Sequence, residues 1–246
     1  MRKYLIPKVT YVIALLLLTC LSIGYTYAYF SGIAYAESNV TLGKINMVWR
    51  DFNSNWAGMD TLFNIKPAEG EDGVNEAMSI KVKGSLKRGN FTDIIATDIN
   101  NKEASRLLEV ANINDDDGVG AYCRIKISAT YTIEDAEPET CEDGWIQLAL
   151  KMGNNDPKLI TSNGWFFYNG YYYYGKQTTD PDGNVTKRQL TSLSSGGGLA
   201  LANYLYLSSD SPASMLGAKV EIILTLEGVQ DSHGAYKSAW EIDFDS

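Results

Sequence analysis

Apolar and polar residues alternate with period two along much of this chain, the spacing of strands with one buried face. Cys123, Ile125, Ile127, Ala129, Tyr131 and Ile133 alternate with Arg124, Lys126, Ser128, Thr130 and Thr132, which predicts a long strand with the first set inward. Val220, Ile222, Leu224 and Leu226 alternate with Glu221 and Thr225 and predict a second; Ile146, Leu148 and Leu150 predict a third. Ile80 and Val82 mark a shorter one. Val40 to Trp49 reads as a strand whose phase slips at Gly43-Lys44: Val40 and Leu42 share one parity, Ile45, Met47 and Trp49 the other, and a β-bulge there is the natural cause.

Trp165-Phe166-Phe167-Tyr168 and Tyr171-Tyr172-Tyr173-Tyr174 flank Asn169-Gly170, a pair that tolerates the positive φ angles of a type I′ turn. A hairpin is predicted, with Tyr168 opposite Tyr171 and Phe166 opposite Tyr173. Acidic, glycine-containing connections lie at 68–75, 114–118, 134–144 and 180–184, and Ser194 to Gly198 reads as a flexible turn. Long helical periodicity is scarce and no internal repeat or linker divides the chain. The expected fold is an all-β sandwich or jelly roll in one domain, residues 29–246, with short helices in loops.

The first residues break this pattern. Arg2, Lys3 and Lys8 precede an apolar run from Val9 to Ile23, then Gly24-Tyr25-Thr26-Tyr27-Ala28. Positive head, apolar run and small residues at a cut make a secretory signal, here residues 1–28 as a signal helix. Cleavage is expected after Ala28, leaving Tyr29 first. Ala34-Tyr35-Ala36 is a cleaner small-x-small site but lies farther from the apolar run. Two alternatives are an uncleaved anchor, since no charge occurs between Lys8 and Glu37, and a lipoprotein cut at Cys20, which Thr19 disfavours. Export excludes most metabolic enzyme readings, and any contact with the membrane runs through the uncleaved signal.

Net charge is −9, and loss of Arg2, Lys3 and Lys8 with the signal takes it to −12. An acidic surface repels phosphate backbones, so nucleic acid is not an expected partner. Cys123 and Cys141 form an even pair in an exported chain, a candidate disulfide, with two free thiols the alternative. Asp115, Asp116 and Asp117 form one acidic run; Asp180, Asp182 and Asn184 place oxygens at alternate positions of another. Both are candidate Ca²⁺ loops, although Val185 stands where a calcium loop would carry glycine, and polar turns are the simpler account. No other cofactor is expected. A zinc protease of the H-E-x-x-H type needs two histidines, and this chain has one, His233. Asp231, Ser232 and His233 are neighbours in sequence rather than a triad converging from separate segments. The tyrosine-rich ribbon could instead stack on sugar rings, which makes a glycan-binding adhesin the main alternative function.

Four stretches, in order along most of the chain, carry a resemblance: Gly24-Tyr25-Thr26-Tyr27-Ala28-Tyr29-Phe30-Ser31 followed by Val40 to Ile45; Val110-Ala111-Asn112 followed by Ala121-Tyr122-Cys123-Arg124-Ile125-Lys126-Ile127; Trp165 to Tyr174; and Leu226 to Asp231 with Ala239-Trp240 behind it. Together they resemble the TasA/camelysin-like exported proteins of Gram-positive bacteria. Lys66-Pro67-Ala68 only partly fits the Lys-Pro-Gly turn of that family, and residues 67–108 have no assigned register. The resemblance implies a signal removed by a dedicated signal peptidase and a jelly-roll domain in the extracellular or biofilm matrix. It also implies fibres in which the N-terminal strand of one subunit completes the sheet of the next, or association with other matrix proteins. Tyr29, Phe30, Ile33 and Tyr35, within the segment 29–38, whose stretch Tyr29–Ala36 has no charged side chain, are the candidate donors. The metallopeptidase activity attached to camelysin finds no support in these residues, and the chain is expected not to be an enzyme.

Overall fold

The computed structural model describes residues 45–51, 66–67, 75–81, 86–97, 103–113, 118–134, 136–232 and 234–244. The cleavage site at Ala28 and Tyr29, the donor residues Phe30, Ile33 and Tyr35, the bulge at Gly43-Lys44, Asp115 to Asp117 and His233 lie outside the described residues.

The described chain is almost entirely strand. In chain order these are β1 (Met47–Asp51), β2 (Lys66–Pro67), β3 (Asn75–Lys81), β4 (Phe91–Asp93), β5 (Ile95–Thr97), β6 (Glu103–Ser105), β7 (Leu108–Asn112), β8 (Ala121–Thr132), β9 (Glu139–Thr140), β10 (Ile146–Leu150), β11 (Lys158–Leu159), β12 (Trp165–Tyr168), β13 (Tyr171–Thr179), β14 (Val185–Leu190), β15 (Gly198–Ala202), β16 (Tyr204–Leu207) and β17 (Lys219–Gln230). One short α-helix, α1 (Ala235–Trp240), follows. All strand pairs are antiparallel. The all-β expectation therefore holds.

The largest sheet runs β12-β13-β8-β17-β3-β2, with β14 on β13 and β9 on β8. Its centre is the β8–β17 ladder, where Thr132 pairs with Lys219 and Ala121 with Gln230. Two smaller sheets, β1-β7-β15 and β11-β10-β16-β4, are joined because β15 continues through Asn203 into β16. Asn203 marks the change of sheet: its Oδ1 accepts from Lys151 N at 2.8 Å and its Nδ2 donates to Lys151 O at 3.2 Å, so the side chain satisfies backbone groups where the ladder is interrupted.

The period-two pattern explains the core. Val220, Ile222, Leu224 and Leu226 of β17 and Cys123, Ile125 and Ala129 of β8 are buried. They share one apolar cluster with Met47 and Trp49 of β1, Val110 of β7, Ile146 and Leu148 of β10 and Leu205 and Leu207 of β16. Ile45, Met47 and Trp49 thus face inward together, as their shared parity predicts. Gly228 of β17 lies against Met47, and a side chain at that position would collide with it. Val110-Ala111-Asn112 ends β7 on a fully buried amide. Asn112 Nδ2 donates to Val119 O (2.8 Å) and Leu193 O (3.3 Å), and its Oδ1 accepts from Asn46 N (3.3 Å), so one side chain ties three segments together.

Three expectations change. Ile133, placed inward, lies just past the end of β8 and is exposed. Arg124, placed outward, is buried. Ser194 to Gly198 is pinned rather than loose: Gly196 N donates to Asn112 O and Asn112 N to Gly197 O, which starts β15.

Candidate functional site

The aromatic hairpin forms as its sequence dictates. Trp165 pairs with Tyr174, Phe166 with Tyr173, Phe167 with Tyr172 and Tyr168 with Tyr171. The turn residues Asn169 and Gly170 have φ of 49° and 80°, the left-handed pair that a type I′ turn requires. Alternation sorts the rings onto two faces. Trp165 and Tyr172 enter the main core. Phe166 and Tyr173 enter a second cluster on the opposite face of the large sheet, with Tyr236 and Trp240 of α1, and Ile242 and Phe244 pack against it.

This cover decides the fate of the ribbon. Phe244 meets Phe166, Tyr168 and Tyr173 edge-on at centroid distances of 5.3–5.6 Å, and Trp240 meets Tyr173 at 5.7 Å. Tyr173 is wholly buried and Tyr171 partly so. The rings left in solvent sit toward the tip: Phe167 and Tyr168, each 37% exposed. The guanidinium of Arg188 lies 4.3 Å from the Tyr168 ring centroid.

Arg124 owes its burial to the same cover. Its Nε and Nη2 both lie 2.6 Å from Glu227 Oε2, across the β8–β17 ladder. Its Nη1 donates to Tyr173 Oη at 3.3 Å. The guanidinium is 3.9 Å from the Tyr171 ring centroid and 4.8 Å from that of Trp240, within cation–π range. Burial raises the Tyr173 phenol above its ordinary pKa, and the Arg124 contact opposes part of that rise. Glu227 and the aromatic box thus satisfy one buried cation from several sides, a structural arrangement rather than an open binding site.

The candidate calcium and disulfide residues fall as follows. Asp180 caps its own turn: Asn184 donates to it from N (2.7 Å) and from Nδ2 (3.0 Å), which lowers the Asp180 pKa, the side-chain bond first. Asp182 and Asn184 belong to this exposed β13–β14 turn. Among the described residues, no three His, Cys, Asp or Glu side chains gather in a group able to hold a metal ion.

Cys123 and Cys141 are free thiols. Cys123 pairs with Gly228 inside the β8–β17 ladder, whereas Cys141 N donates to Ala129 O, six residues farther along β8. That puts them about 20 Å apart, far beyond bridging range. The expected disulfide does not form, because the loop 134–144 returns to β8 through β9 at Thr130 and Tyr131, away from Cys123.

Desolvation raises the Cys123 thiol to about 12 and the Cys141 thiol to about 11. A pKa above the unfolded value means that the folded state holds the proton more tightly. The associated stability is complete below the ordinary thiol value of about 8.5 and is lost as pH rises through the folded values. Two results follow: stability falls steadily above about pH 8.5, and neither thiol reacts appreciably with iodoacetamide at pH 8 until denaturant is added. Melting curves across pH 7–11 and thiol counting by mass spectrometry check both.

Beyond the hairpin, β13 continues past β12. Gly175 lies where β13 passes between β12 and β14, and any side chain there would collide with the Gln189 carbonyl. Alongside the outer half of β13 lies a cleft of about 510 Å³ bordered by Thr161, Gly164, Trp165 and Phe167. A second hollow, about 540 Å³, opens on the other face between Tyr168, Val185, Arg188 and Phe244. No family model, curated protein or solved structure matches this chain.

Proposed function

We propose that this chain is a secreted structural protein of an extracellular or biofilm matrix, a jelly-roll domain that assembles by donating its N-terminal segment to the sheet of a neighbouring copy. The observation that supports this most is an all-β body with open sheet edges: among the described residues, β4 and β12 each end a sheet, bonded to one neighbour only. An edge strand presents unpaired N–H and C=O groups, and an extended segment can add there by main-chain hydrogen bonds. The stretch Tyr29–Ala36, which has no charged side chain, supplies such a strand once the signal is removed. Calcium and an enzymatic activity have no part in this reading.

The test is negative-stain microscopy of the form starting at Tyr29 beside a form starting at Ser38. Filaments from the first and none from the second are expected. Monomers from both would overturn self-assembly. A second reading, a glycan-binding adhesin, draws on the exposed rings of Phe167 and Tyr168 beside Arg188. Adhesion survives loss of residues 29–37, whereas assembly does not.

A further inference from the structure

The outer half of β13 offers one open edge with a defined direction. Gly175 donates its N–H to Gly164 O at 2.8 Å, on the β12 side. Beyond it, Lys176, Gln177, Thr178 and Thr179 pair only with β14 among the described residues. In an antiparallel ladder, successive residues turn their N–H and C=O to alternate sides. Tyr174 O accepts from Thr191 N on the β14 side. Lys176 and Thr178 therefore serve β14, and Gln177 turns its backbone N–H and C=O the other way, into the 510 Å³ cleft. Phe167 stands at the mouth of that cleft, partly in solvent, and Trp165 lines it from the buried side.

We propose that this edge is the acceptor for residues Tyr29–Ala36 of a second copy, which add antiparallel to β13 and in line with β12. The inference rests on the strand-donation reading and specifies where the strand goes. The segment suits the site in three ways. None of its side chains is charged, so apart from the α-amino group that cleavage leaves at its tip it enters an aromatic-walled cleft without desolvating an ion. From Gly32 onward its side chains alternate by size: Ile33 and Tyr35 fall on one face, Gly32, Ala34 and Ala36 on the other, with Phe30 on the latter face nearer the tip. The large face can lie along Thr161, Trp165 and Phe167 while the small face passes closely. Finally, the stretch Tyr29–Lys44 ahead of the first described residue reaches about 50 Å when extended, enough to leave its own domain for a neighbour.

The experiment uses the full exported chain carrying Tyr35→p-benzoylphenylalanine, mixed with an isotope-labelled copy, irradiated under assembly conditions and mapped by peptide mass spectrometry. Adducts are expected within 161–167 or 176–179 of the other copy. Gln177→Pro removes the N–H that faces the cleft and leaves the backbone ladder to β14 intact, since proline is tolerated at a free edge; it costs only the exposed bond from Arg188 Nε to Gln177 Oε1 (3.2 Å). It should cut adduct yield at least ten-fold with an unchanged melting midpoint. Phe167→Glu, at an exposed position, is the second blocking variant should Gln177→Pro fold poorly, and the same loss is expected. Filaments whose adducts map to another edge, or that form equally well in both variants, would overturn this acceptor and leave strand donation standing. An absence of filaments, with adducts only within one copy, would overturn both.

Discussion

Replacing Arg124 by alanine should destabilise the fold by about 3–5 kcal/mol, because it strands the Glu227 carboxylate beneath an aromatic cover. The side chains of Arg124 and Glu227 are only 10% and 17% exposed, and both short contacts go to one carboxylate oxygen. With total stabilities of about 5–15 kcal/mol for domains of this kind, the variant would be marginal at room temperature. Urea denaturation followed by tryptophan fluorescence reads the loss. Arg124→Met combined with Glu227→Leu should recover most of it, since removing both charges ends the desolvation penalty that one alone leaves. Arg124→Lys should fall between, because an ammonium cannot reproduce the paired nitrogens or lie flat between Tyr171 and Trp240. A single alanine variant with an unchanged midpoint would show that the pair does not hold the cover in place.

Tyr173→Ala is expected to cost a comparable amount, about 3–5 kcal/mol, by the cavity it opens. The ring is fully buried, stacks on Phe166 at 5.4 Å and meets Trp240 and Phe244. Tyr168→Ala, at the exposed end of the same ribbon, should cost about 1 kcal/mol or less. The pair separates packing from recognition. If Tyr168→Ala or Phe167→Ala lowers retention on immobilised glycans at an unchanged midpoint, the adhesin reading gains. If only Tyr173→Ala has an effect, and it acts through unfolding, the ribbon is core and the reading falls. Differential scanning calorimetry with the same preparations decides.

The inward residues of β8, β10 and β17 were legible in the sequence because each strand buries one face against a common core, so polarity alternates with the pleat. The hairpin was legible down to its pairing because Asn169-Gly170 fixes both turn type and register. Arg124 was misplaced for a physical reason. Its parity puts it on the outer face, and only the later segment that brings Trp240 and Phe244 back over the sheet turns that face into a second core. The free thiols were equally hidden, since the spacing between Cys123 and Cys141 carries no sign that the intervening loop rejoins β8 six residues away from Cys123. The short strands β4, β5 and β6 gave no clear alternation, being too brief for a period to register. The outer edge of β13 had no sequence signal of its own: Lys176 to Thr179 are unremarkable strand residues, and the edge exists because β12 begins only at Trp165.

The central ladder also sets the order in which this chain can become structured. β8 finds its long partner in β17, with β9 to β16 lying between them in sequence, and among the described residues β3 joins β8 only through β17. Closing such a loop carries an entropic cost that the short-range β8–β9 and β12–β13 pairings repay only in part, so topologies of this kind fold slowly. A nascent chain that has yet to emit β17 leaves the inward apolar row of β8 without its long partner and β3 without its link to β8. It is then at its most vulnerable to aggregation and at its most pliant for threading through a narrow passage.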